Sequence, residues 1–88
     1  MKRMRCLIVD DEPVARKILQ EFVEQVPFLE LIAKFENAAK TEAFLQNNQA
    51  DLMFLDIEMP KVSGLELLKK ADIKPMVILT TAFPQYAL

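Results

Sequence analysis

Asp10, Asp11 and Asp56 stand where hydrophobic runs end: the first two close Met4 to Val9, and the third closes Leu52 to Leu55. A fourth run, Met76 to Leu79, ends in Thr80 and Thr81. Such runs, separated by helix-like stretches, read as parallel strands whose C-terminal ends share one edge of a sheet. That edge is where open α/β sheets place their chemistry. Two like charges about 5 Å apart cost roughly 3 kcal/mol at an effective dielectric near 20. A small domain with about 5 kcal/mol of stability is left with two remedies. One acid protonates, or a divalent cation binds.

All the candidate ligands are oxygens. There is no histidine, and the single Cys6 lies inside the first hydrophobic run, which excludes a typical zinc site. Hard oxygen ligands fit Mg²⁺, which keeps several waters and accepts a phosphate oxygen as a further ligand. Asp56 would then be a carboxylate nucleophile toward a phosphoryl group. A hydroxyl from the fourth strand could donate to the phosphate. Thr80 and Thr81 alternate faces if that strand persists, so one of them serves, and Thr81 is the candidate.

Each piece also has an ordinary explanation. Asp10, Asp11 and Glu12 could cap the following helix and complement its dipole. Asp56 could be a loop acid, and the two threonines plain strand residues. It is their joint occurrence at successive strand ends that points to a shared site.

The elements that must position these groups alternate. Strands are expected near Arg5–Val9, Glu30–Lys34, Leu52–Leu55 and Met76–Thr80. Helices are expected near Pro13–Gln25, Asn37–Asn47 and Gly64–Lys70. This βαβ alternation predicts an α/β fold, a doubly wound parallel sheet with helices on both faces. Pro13 suits a first helical turn, where its missing N–H is no loss. Val14, Ile18, Leu19, Phe22, Val23 and Val26 trace an apolar stripe, with Arg16, Lys17, Glu21 and Glu24 opposite. The second helix has Phe44, Leu45 and small alanines to bury. Ser63 to Glu66 reads as a capping box, and Pro84 as the first turn of a helix running to Leu88.

At 88 residues the chain has room for one small domain. A net charge of −2 gives no bias toward nucleic acid. Lys2, Arg3 and Arg5 read as a solvated flank. No run is long enough to span a membrane. The one cysteine forbids an intrachain disulfide and points to a reducing, cytoplasmic setting.

Three segments carry a family resemblance. They are Cys6–Pro13 (Cys-Leu-Ile-Val-Asp-Asp-Glu-Pro), Asp51–Gly64 (Asp-Leu-Met-Phe-Leu-Asp-Ile-Glu-Met-Pro-Lys-Val-Ser-Gly) and Val77–Ala82 (Val-Ile-Leu-Thr-Thr-Ala). In sequence and spacing they resemble the receiver domain of two-component response regulators, over the whole chain. The Thr-Thr-Ala followed by Tyr-Ala-Leu is similar to receivers joined to LytTR-type DNA-binding domains. The resemblance implies a flavodoxin-like sheet of order 2-1-3-4-5. It implies a phosphoryl group passed from a sensor histidine kinase to Asp56. It implies Mg²⁺ held by the side chains of Asp11 and Asp56, by Asp10 through water, and by the Glu58 backbone carbonyl. Thr81 and Ala82 match the switch and phosphate-binding positions.

Receivers continue into a further helix, a fifth strand ending in Lys-Pro, and a last helix. No residue of this chain matches that lysine. The expectation is therefore an incomplete receiver over 1–88 of order 2-1-3-4, with an exposed fourth strand through which it could form a homodimer. Two other readings compete. One is a non-phosphorylatable self-association module. The other is a phosphatase with an aspartate nucleophile, which would want a second Asp where Glu58 stands and a cap region for which there is no room. The main reading is a phosphoacceptor signalling module, not an enzyme.

Overall fold

The computed structural model describes residues 2–56 and 75–80. Among these, four strands and two helices follow in the order β1 (Met4–Val9), α1 (Pro13–Glu24), β2 (Leu29–Phe35), α2 (Ala38–Asn47), β3 (Leu52–Leu55) and β4 (Met76–Leu79). All pairings are parallel, in the order β2-β1-β3-β4. The expected doubly wound α/β architecture is present. The expected helix over Gly64–Lys70, the Ser63 capping box and the segment after Thr81 lie outside the described residues.

β1 is the centre of the molecule. Cys6, Leu7, Ile8 and Val9 are all fully buried, because helices cover the sheet on both sides. Leu7 and Val9 pack with Met53, Leu55 and Val77 against Ala38 of α2. Cys6 and Ile8 face the other way, with Leu52 and Phe54, against Val23 of α1. An unbroken apolar run is the signature of such a strand, since alternation would put polar groups into one of the two layers. Phe35 and Phe44 add a tilted ring contact, with centroids 5.2 Å apart, that holds α2 to β2.

β2 carries one irregularity. Cys6 pairs with Leu31 and Leu7 with Ala33, so Ile32 is an extra residue relative to β1. Leu29 and Leu31 therefore lie in the α1 layer, while Ala33 and Phe35 lie in the α2 layer. The bulge changes the phase of the strand halfway along.

The α1 stripe splits in two, contrary to the expectation of one buried face. Leu19, Val23 and Val26 meet the sheet. Val14, Ile18 and Phe22 form a separate ridge at i, i+4 and i+8, and are 65%, 47% and 63% exposed. An apolar arc that wide cannot face a single sheet at once. In α2 the buried residues are Ala38 and Thr41, and the Thr41 hydroxyl donates to the Asn37 carbonyl at 2.9 Å. Asn37 is the N-cap, its side chain accepting from the Lys40 N–H at 2.9 Å.

The basic flank is more than solvated charge. Arg3 Nη2 donates to the Leu29 carbonyl at 2.6 Å, and Arg5 Nε to that of Gln49 at 3.1 Å. The Arg5 N–H donates to Asp51 Oδ2 at 2.8 Å. These bonds pin the N-terminal edge of the sheet, leaving the opposite edge for the acids. Cys6 is buried, as expected of an inert thiol; desolvation pushes its thiol pKa up.

Candidate functional site

The strands stop pairing in regular register at Val9, Leu55 and Leu79, but each ladder continues by one hydrogen bond. The Asp10 N–H donates to Phe35 O at 3.0 Å, the Asp56 N–H to Val9 O at 2.9 Å, and the Thr80 N–H to Leu55 O at 2.9 Å. Asp10, Asp56 and Thr80 thus form one rung across β1, β3 and β4. All three strands run the same way, and all three N–H groups point toward the β2 side of the sheet. For L-residues, that combination puts the three Cβ atoms on one face. It is the α1 face, the side occupied by Cys6, Ile8, Leu52 and Phe54.

Asp11, the first residue off that rung, completes the cluster. Asp10, Asp11 and Asp56 each offer a carboxylate oxygen, and these oxygens lie within 4.8 Å of one another. The sequence-derived trio is therefore brought together. Asp10 is 4% exposed, while Asp11 and Asp56 are half-buried. Burial raises the Asp10 carboxyl pKa above the usual carboxylate range, and the neighbouring Asp11 charge adds to that. The Glu12 N–H, donated to Asp10 Oδ1 at 3.0 Å, and a hydrogen bond with the Asp56 side chain act the other way. The acids do not cap α1 by a side-chain bond: Glu12 is the N-cap and makes none. The capping explanation loses its main contact, although the N-terminal dipole still favours negative charge there.

The donor set fits a hard divalent ion. Three carboxylates at one point, with neither nitrogen nor sulfur among them, match oxygen ligation of the Mg²⁺ kind.

Two further residues belong to the site. Arg16 Nη1 donates to the Asp10 carbonyl oxygen at 2.7 Å, so α1 reaches back and fixes the turn carrying both acids. The sequence pattern places Arg16 on the solvent face; its position in the first turn, just after the acids, is the signal for this role. Thr80 is the second. Its hydroxyl oxygen is shut away from solvent and has no hydrogen-bond partner among the described residues. A buried polar group left so costs about 1–3 kcal/mol. The residues expected at Glu58, Thr81 and Ala82 lie outside the described residues.

Comparison with known proteins shows the family. The family model described as response regulator receiver domain matches residues 6–87. The chain is similar to the transcriptional regulatory protein BtsR of Escherichia coli strain K12, with 37% identity over 87 residues, covering 97% of this chain and 36% of that protein. It spans little more than a third of the length of that relative. Among solved structures it resembles the response regulatory domain of protein mrkE from Klebsiella pneumoniae, with a TM-score of 0.84 and 30% identity over 96% of this chain and 71% of that one. It also resembles the MaeR response regulator bound to beryllium trifluoride, with a TM-score of 0.82 and 26% identity over 91% of this chain and 68% of that one. A parallel β2-β1-β3-β4 sheet agrees with these fold neighbours, and the chain belongs to the receiver domains of two-component response regulators.

Proposed function

We propose that Asp56 is the phosphoacceptor of this receiver, and that it takes a phosphoryl group from a phosphohistidine of a sensor kinase. The observation that carries this is the convergence of Asp10, Asp11 and Asp56 within 4.8 Å at the ends of β1 and β3. A carboxylate oxygen of Asp56 attacks phosphorus, the bond from phosphorus to the donor imidazole breaks, and its electron pair returns to the ring nitrogen. Asp11 and Asp56 would hold Mg²⁺ by side chain, Asp10 through water and Glu58 through its backbone carbonyl. The ion supplies charge neutralisation for the phosphoryl oxygens. Thr81 takes the switch position and Ala82 a phosphate-binding one.

The family supports a setting of the usual receiver kind. The partner upstream is a sensor histidine kinase in the cytoplasm, and the partner downstream is a DNA-binding output domain of LytTR type in the same polypeptide. Transcription is the regulated step, and this segment does not itself touch DNA. The chain acts as a signalling module and not as an enzyme on an external substrate. Among the described residues no helix is long and apolar enough to cross a membrane.

The test is phosphorylation by a small-molecule phosphodonor with and without Mg²⁺, followed by intact mass. One phosphoryl group should appear only with the metal, be released by hydroxylamine as an acyl phosphate is, and vanish in Asp56→Asn. Labelling that survives Asp56→Asn would overturn the assignment.

A further inference from the structure

We propose that Thr80 supplies a hydrogen-bond donor to the phosphoryl group carried by Asp56, a role distinct from that of Thr81; the inference rests on the phosphoacceptor reading above. Thr80 and Asp56 are neighbours on one rung. The Thr80 N–H is bonded to Leu55 O, and the Asp56 N–H to Val9 O. The pairing Leu55↔Leu79 places the next residues, Asp56 and Thr80, side by side. Adjacent strands lie about 4.8 Å apart, so a short side chain on one reaches a group on the other. The shared N–H direction puts both side chains on the α1 face.

The second observation is independent of the register. The Thr80 Oγ1 is buried and lacks a partner among the described residues. Buried hydroxyls are almost always bonded, so an orphan beside a carboxylate cluster calls for a partner that arrives. A phosphoryl group on Asp56 brings three acceptor oxygens to that spot, each stronger than a neutral acceptor. The strand residues Met76 and Ile78, which share the Thr80 face, are apolar and offer the hydroxyl nothing. The O–H donates without leaving its oxygen, so no bond is made or broken at Thr80.

The experiment uses Mg²⁺ and beryllium trifluoride, a phosphoryl mimic, on the full chain and its Thr80→Val and Thr80→Ser variants. Binding is followed by calorimetry, first for the metal alone and then for the mimic with the metal saturating. Thr80→Val should weaken the mimic about tenfold or more, as loss of a charge-assisted hydrogen bond does, and leave Mg²⁺ within about twofold. Thr80→Ser should restore the mimic's affinity. In the wild-type chain the Thr80 hydroxyl proton should become protected from exchange only when the mimic is bound, a readout that stands if Thr80→Val does not fold. Unchanged mimic affinity in Thr80→Val, an equal loss in Thr80→Ser, or a hydroxyl proton that stays unprotected would each overturn the role of Thr80. Failure of the wild-type chain to bind the mimic at all would instead overturn the phosphoacceptor reading on which it rests.

Discussion

Arg16 holds the Asp10 carbonyl oxygen at 2.7 Å, so a side chain from the first turn of α1 sets the shape of the turn that presents Asp10 and Asp11. The same guanidinium also lowers the pKa of Glu36, after the larger influence of Lys40. One cation therefore binds the turn after β1 and acts electrostatically on the loop after β2.

Arg16→Met keeps much of the side chain's bulk and removes the donor. Loss of one part-buried hydrogen bond from a charged group costs about 1.5–3 kcal/mol. The variant should unfold at lower denaturant and bind Mg²⁺ several-fold more weakly, because its ligands are less well placed. Chemical denaturation and calorimetry read the two effects separately. An unchanged Mg²⁺ affinity would show that the turn keeps its shape without Arg16.

Removing the metal should destabilise the fold. Mg²⁺ at a hundred times its Kd adds about 2.7 kcal/mol if it binds only the folded state. Asp11→Asn or Asp56→Asn should abolish most of that gain while making the metal-free protein more stable, since each relieves like-charge crowding. Thermal melts with and without chelator would check both signs.

The pH dependence follows from Asp10, whose carboxyl is held above its ordinary value chiefly by burial. A carboxyl that keeps its proton more tightly when folded favours the folded state at acid pH. That contribution is lost as pH rises from the ordinary carboxylate value through the raised one. Metal-free protein should therefore weaken over that interval, and Asp10→Asn should flatten the curve. Glu36 has the opposite sign, its lowered pKa favouring folding at higher pH, but it is exposed and screened. Urea midpoints across the acid range in chelator would reveal a rise instead of a fall if Asp10 were not the governing group.

Leu55→Ala should cost about 2–5 kcal/mol, since the side chain is fully buried between β1, β4 and the α2 layer and leaves a cavity. Asp56 follows it directly, so mimic binding should fall as well. Equilibrium denaturation giving less than about 1 kcal/mol would mean that the site closes around the gap.

β4 is the outermost strand among the described residues, with Met76, Ile78 and Leu79 63%, 46% and 43% exposed. An apolar edge strand is a template for further pairing. The 88-residue chain should self-associate at high micromolar concentration, and Ile78→Lys should suppress it. Sedimentation velocity showing a single monomer for the unmodified chain would contradict this.

Much of the site could be read from residue order. A hydrophobic run that stops at an acid marks the C-terminal end of a buried parallel strand, and β3 has the bounds its composition implies, Leu52–Leu55. Asp10, Asp11 and Asp56 followed from that alone. What escaped depends on phase. The place of Thr80 beside Asp56 shows only once the ladder is seen to run one rung past Leu79, to the Thr80 N–H. Arg16 has the spacing of a solvent-facing residue and turns back to a carbonyl. Val14, Ile18 and Phe22 have the spacing of core residues and form a second ridge, because periodicity tells which residues share a helix face and not how wide a face the sheet can cover.

The extra residue at Ile32 gives β2 two allegiances. Leu29 and Leu31 belong with one helical layer, Ala33 and Phe35 with the other. Peeling this border strand away would thus strip cover from both layers together, which makes it an unusually firm margin for the sheet. Those of its amides that bond to β1 should exchange with deuterium more slowly than the amides of β4, the opposite border among the described residues.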